Sequence, residues 1–291
     1  ENFYNMYKRK SVKSKKRKKI FKLLIIIIII LFVREKINGG NLSDSSSFFN
    51  KISLGDLITD KNLKTDDFDT LRKNLKKETD SGNNKAEWIY DNFDNLPDTM
   101  LYLAGNDPDT IDFVYNYQNG ITNFEFYPGE SVNLDRKTPY FLQWDNRWAY
   151  NSLGQSNVGI AGCGPTSMAM ALARLTGDNS ITPDKISIDA NAYMDASGVS
   201  RSFFNDEASK YGYRVVDISN DKDAMIEALN YGPLIVSVTR GYFTLFGHIV
   251  IIDSYQNGKF IINDPNSIKK SQISWSFNQI QNQIAHIWLV Y

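Results

Sequence analysis

One cysteine, Cys163, and two histidines, His248 and His286, are all that this 291-residue chain offers for pairing a thiol nucleophile with an imidazole base. Such a pair needs a thiol that ionises readily, a base within hydrogen-bond reach and a third group to orient the base. Cys163 stands in Gly162-Cys163-Gly164-Pro165, ahead of TSMAMALARLTG. That stretch reads as a helix with proline in its first turn and Gly177 at its end. A helix start favours the thiolate through its unpaired N–H groups and the positive end of its dipole. Flanking glycines let backbone and substrate come close. A lone cysteine is more often a small buried apolar residue, but the glycines and the helix start favour a nucleophile.

His248 opens the strand-like run HIVIIDSY behind the loop GYFTLFG, whereas His286 lies inside AHIWLVY and reads as a core or edge histidine. His248 is the better base. The third member depends on register. Strands at 248–255 and 259–264 are joined around Gln256-Asn257-Gly258. A two-residue Asn-Gly turn puts Asn263 on the face of His248. A three-residue loop with Gly258 in a left-handed bulge pairs Tyr255 with Lys259 and puts Asp264 opposite Val250, diagonal to His248. The three-residue loop is expected, which makes Asp264 the orienting group and Asn263 its reserve. An oxyanion needs fixed donors. The Cys163 N–H is one; Gln143 in PYFLQWDNRW is the preferred second, and Asn157 competes. Trp144 and Trp148 read as core or cleft wall.

The elements that must position these residues form an α+β pattern. Beyond the helix after Cys163, helices are expected at 183–195, 200–211 and 221–230. Strands are expected at 213–218, 233–239, 248–255, 259–264 and 285–291. Three strands in succession favour an antiparallel sheet with helices on one side. Ahead of this domain, over 137–291, residues 86–136 carry aromatic and aliphatic residues at helical spacing broken by Pro97 and Pro108, a small helical lobe. Residues 35–85 are rich in Asp, Lys, Asn, Ser and Thr and read as a flexible spacer.

Zero formal charge hides an asymmetry. Ten Lys or Arg lie between Lys8 and Lys22, and residues 23–291 hold 23 bases against 32 acids. An acidic body argues against a nucleic-acid partner. The zinc patterns that need several close Cys or His are absent, and no cofactor is expected. After the basic tail 1–19 comes an apolar run with six consecutive isoleucines. Residues 20–34 are expected to anchor the chain in the cell membrane as a single pass, with the basic side inside and the catalytic domain extracellular. A cleaved signal, giving a secreted protein, is the alternative.

At PYFLQWDNRW, GCGPTSMAMALARLTG, GHIVIIDSY and FIINDPNS the chain resembles the bacteriocin-processing, double-glycine type of cysteine peptidase family, in its stand-alone secreted branch within the papain-like superfamily. The resemblance covers about 137–291. It implies a papain-like fold, with a Cys-bearing helix on an antiparallel sheet. It also implies a Cys163–His248–Asp264 triad with Gln143 as oxyanion residue. The family places its oxyanion glutamine a few residues before the cysteine, where this chain has Asn157. By analogy with cell-surface enzymes of Gram-positive bacteria, the expected function is hydrolysis of amide bonds in cell-wall peptide (peptidoglycan). A protease of surface or secreted proteins, and an inactive peptide-binding module, are the alternatives.

Overall fold

Leu71 and Leu75, four residues apart, turn one face of FDTLRKNLKKETD inward and make it a helix, α1 (Phe68–Asp80). The computed structural model describes residues 62–195 and 198–291. Asn83 caps the next helix, α2 (Asn84–Asp91), by accepting the N–H groups of Lys85 and Ala86, each at 3.1 Å. With α3 (Asp98–Asn106) and α4 (Ile111–Gln118) these helices bury Leu71, Leu75, Ile89, Met100, Leu101, Ile111 and Phe113 together. The stretch 35–85, expected to be a flexible spacer, thus contains α1 and the start of α2. Its apolar residues are few, but both leucines of α1 are fully buried.

A short strap precedes α1 and ties this lobe to the rest of the chain. Lys64 Nζ pairs with Asp107, both buried. The Lys64 N–H donates to Gly241 O at 2.9 Å, and Arg240 pairs with Asp66 at 2.7 Å. Lys270 Nζ reaches Asn62 O at 2.8 Å.

The remainder is built on six antiparallel strands, β1 (Val215–Asp217), β2 (Leu234–Thr239), β3 (Gly247–Gln256), β4 (Lys259–Asn263), β5 (Ser274–Trp275) and β6 (Ile284–Val290). Their order in the sheet is β1-β6-β2-β3-β4-β5. The helix α5 (Cys163–Thr176) packs on β2 and β3. Helices α6 (Pro183–Ala190) and α7 (Arg201–Lys210) complete that layer. Helices are not confined to that side: Met225 and Ala228 of α8 (Lys222–Ala228) share a second core with Val236, Val250 and Ile252. Covering both faces is why β2 and β3 read as nearly unbroken apolar runs.

The β3–β4 hairpin corrects the expected three-residue loop. Its turn has two residues, Asn257 (φ 50°) and Gly258 (φ 78°), and Gln256 pairs with Lys259. Both positive φ values fit the twist of a tight hairpin. Alone, that turn would set Asn263 across from Ile252, on the face of His248. One extra residue in β3, Asp253, restores the other parity: Ser254 pairs with Ile261, but Ile252 pairs with Ile262 and Ile251 with Asn263. Extended by one step past the end of β4, this register sets Asp264 on the side of Val250 rather than of Ile251. Apolar burial favours this arrangement, because Phe260 and Ile262 share a core with Val250 and Ile252. The displaced Asp253 accepts the Thr138 N–H at 2.8 Å, and Arg174 of α5 donates to its carbonyl at 2.7 Å. Gly258→Val should strain a left-handed position by roughly 1–3 kcal/mol. A melting temperature lower by a few degrees is expected, with turnover little changed because the bulge lies between turn and site. An unaltered melting temperature would contradict the turn's role.

The expected cell-membrane localisation is corrected. Among the described residues no helix is long and apolar enough to cross a membrane. The longest, α5, has 14 residues, about 21 Å against a hydrocarbon core of about 30 Å. The basic tail 1–19 and the expected anchor 20–34 lie outside the described residues.

Candidate active site

Cys163 is the first residue of α5 and is half-buried. The turn before it is tight: a Cβ on Gly162 would lie 2.3 Å from Val158 O, so only glycine fits there. His248 is the second residue of β3, 8% exposed, next to the open Gly247. Asp264 follows β4 directly and is wholly buried. His248 Nε2 lies 2.7 Å from Asp264 Oδ1. The other ring nitrogen, Nδ1, is left for the Cys163 thiol, with which His248 makes a hydrogen bond.

Asp264 is itself held from several directions. Its Oδ1 also accepts the Asn266 N–H at 2.8 Å, and its own N–H donates to Ser271 Oγ at 2.8 Å. The Tyr140 hydroxyl donates to its carbonyl at 2.7 Å. Asn263 points the other way: its side chain bonds Arg136 and donates to Thr138 O at 3.2 Å. His286 lies on β6 and pairs with Asp217 of β1 at 2.7 Å, in a half-exposed position.

The electrostatics favour an ion pair. Burial pushes the Cys163 thiol up, but the hydrogen bond and charge of His248, with backbone hydrogen bonds from Ile249 and Gly164, outweigh it and hold the thiol below its ordinary value. Burial alone would lower His248; the charge and hydrogen bond of Asp264, helped by Cys163, lift it to about 10. A thiolate beside an imidazolium is the reactive form of a thiol nucleophile.

Of the two amides considered for the oxyanion, Gln143 is 3% exposed and its Nε2 donates to Gly159 O at 2.9 Å and Ile160 O at 3.4 Å. Asn157 accepts the Ile160 N–H through Oδ1 at 3.0 Å, while its Nδ2 is buried with no hydrogen-bond partner among the described residues. Trp148 is fully buried, and the Trp144 indole donates to Asn266 O at 3.0 Å. The reading of single residues passes over Tyr140, Ser271 and Asp253. For Asp253 a signal exists: an acid interrupts an apolar strand.

Solved structures similar to the chain include the peptidase domain of Streptococcus ComA, a bi-functional ABC transporter involved in quorum sensing. That match has 20% identity, covers 49% of this chain and 96% of that one, and has a TM-score of 0.37. Another is a double glycine motif protease from an AMS/PCAT transporter in complex with the leader peptide, at 18% identity, 57% and 98% coverage and a TM-score of 0.36. No curated protein matches the chain. Residues 136–291, more than half of the sequence, match the Peptidase_C39 like family. With its mixed helices and antiparallel sheet and a single cysteine at a helix start, the chain belongs to that family.

Proposed function

We propose that the protein is a cysteine peptidase that cleaves amide bonds with Cys163 as nucleophile, His248 as acid and base, and Asp264 as the group orienting His248. The observation that carries this is the 2.7 Å contact between His248 and Asp264, beside a thiol whose ionisation His248 favours. The Cys163 thiolate attacks the peptide carbonyl carbon, and the oxyanion forms against the Cys163 N–H. Asn157 is the better second donor, because its amide nitrogen is buried and has no partner among the described residues. As the tetrahedral intermediate collapses, the His248 imidazolium gives its proton to the leaving amine. A thioester remains on Cys163. His248, now neutral, takes a proton from water as it attacks that thioester, the acid product leaves, and the thiolate–imidazolium pair is restored.

Peptide of the cell wall is the substrate class retained from the sequence. Incubating the protein with purified cell wall and, separately, with casein tests both levels. New amino termini from the wall alone are expected. Cleavage of casein alone would move the substrate to proteins, and no new termini from either would sink the hydrolase reading.

A further inference from the structure

The segment 136–144 runs beside residues 262–266 and is bonded to them almost step by step. Arg136 Nη1 donates to Ile262 O at 2.8 Å, and Asn263 Nδ2 donates to Thr138 O at 3.2 Å. The Tyr140 hydroxyl holds Asp264 O at 2.7 Å. The Gln143 N–H donates to Pro265 O at 2.8 Å, and the Trp144 indole to Asn266 O at 3.0 Å. Each bond fixes the stretch that carries Asp264. The Gln143 side chain departs from this row. It crosses to the opposite wall, where its Nε2 meets Gly159 O and Ile160 O, the last turn before Cys163. An amide that stabilises an oxyanion must aim its N–H groups at the reacting carbonyl. Those of Gln143 are spent on the main chain.

We infer that Gln143 is a positioning residue that ties the turn delivering Cys163 to the loop delivering Asp264, and so sets the spacing of the thiol from His248. This rests on the Cys163–His248–Asp264 reading above. The main-chain N–H of Gln143 grips one wall and its side-chain amide grips the other, so one residue spans the gap that the reaction has to keep constant. A shift of about 1 Å in such a contact can cost on the order of 10²-fold in rate. Removing the amide therefore slows every reaction of Cys163 that needs His248, including reactions in which no oxyanion forms.

Alkylation by iodoacetamide separates a brace from an oxyanion donor. The thiolate displaces iodide at a saturated carbon, forming a thioether with no tetrahedral oxyanion. In the full-length chain, Gln143→Met keeps the side-chain volume and removes the donor. Its alkylation at neutral pH is expected to slow by about tenfold or more, with the half-maximal pH moved up toward that of an ordinary thiol and casein or cell-wall hydrolysis falling in parallel. Alkylation at the wild-type rate, with hydrolysis either reduced or unchanged, overturns the inference; the reduced case would make Gln143 an oxyanion donor. If the methionine protein does not fold, Gln143→Asn, one methylene shorter, decides by the same two outcomes. Failure of the underlying triad reading would show elsewhere: wild-type Cys163 would alkylate no faster than Cys163 in a His248→Ala protein, a comparison without Gln143.

Discussion

Cys163→Ala is expected to reduce hydrolysis by a factor on the order of 10⁶, the scale on which losing a covalent nucleophile acts, and to leave the fold in place. No other residue of the chain can supply a thiol, and the second histidine is bound to Asp217 on another strand pair. The fold should survive because the side chain is small and half-exposed at the first position of α5. Such a truncation costs within roughly 1 kcal/mol. Turnover on a cleaved peptide and thermal melting, measured together, check both halves. A variant with most of its activity intact would remove the thiol mechanism.

Asp264→Ala should cost about 10²–10⁴-fold in turnover, since the imidazole loses the group that holds it, while Asn263→Ala should spare turnover. The two residues are adjacent and both fully buried, yet only Asp264 touches His248. Asn263 instead serves Arg136 and Thr138, so its loss should appear as roughly 1–3 kcal/mol of stability through polar groups left unpaired. The pH profile adds a sign. Asp264 raises His248, so without it the imidazolium deprotonates at lower pH, and the alkaline limb of activity, set by a group near 10, should move down toward the ordinary histidine value. A dead Asn263→Ala enzyme beside a normal Asp264→Ala enzyme would reverse the assignment.

Local chemistry made much of this readable before any coordinates. A proline and a closing glycine bracket α5, and Gly177 adopts the left-handed conformation expected after a helix. His248 at a strand start and the apolar β3 follow from strand patterning. What escaped depends on contacts distant in sequence. The bulge at Asp253 answers to Thr138 and Arg174, more than seventy residues away. The hairpin turn is one residue shorter than its Gln-Asn-Gly sequence suggests, yet Asp264 lies on the face of His248, because turn and bulge shift parity in compensating ways. The helix α1 was hidden because two buried leucines in a charged segment gain their partners only from later helices. Gln143 carries an amide suited to catalysis, and nothing in its neighbours says which way that amide points.

The strap at residues 62–66 bears on how such a protein can be cut and recombined. Lys64 binds a carboxylate of the helical lobe with its side chain and the loop before His248 with its main chain. A fragment that began at residue 86, the apparent start of the lobe, would leave the Asp107 carboxyl buried without its Lys64 partner, a loss of roughly 1–3 kcal/mol. It would also empty the groove filled by Leu71 and Leu75. The peptidase half and the lobe are therefore poor candidates for independent shuffling between genes. Whatever is joined upstream, the inherited unit has to include the charged, unpromising residues from 62 onward.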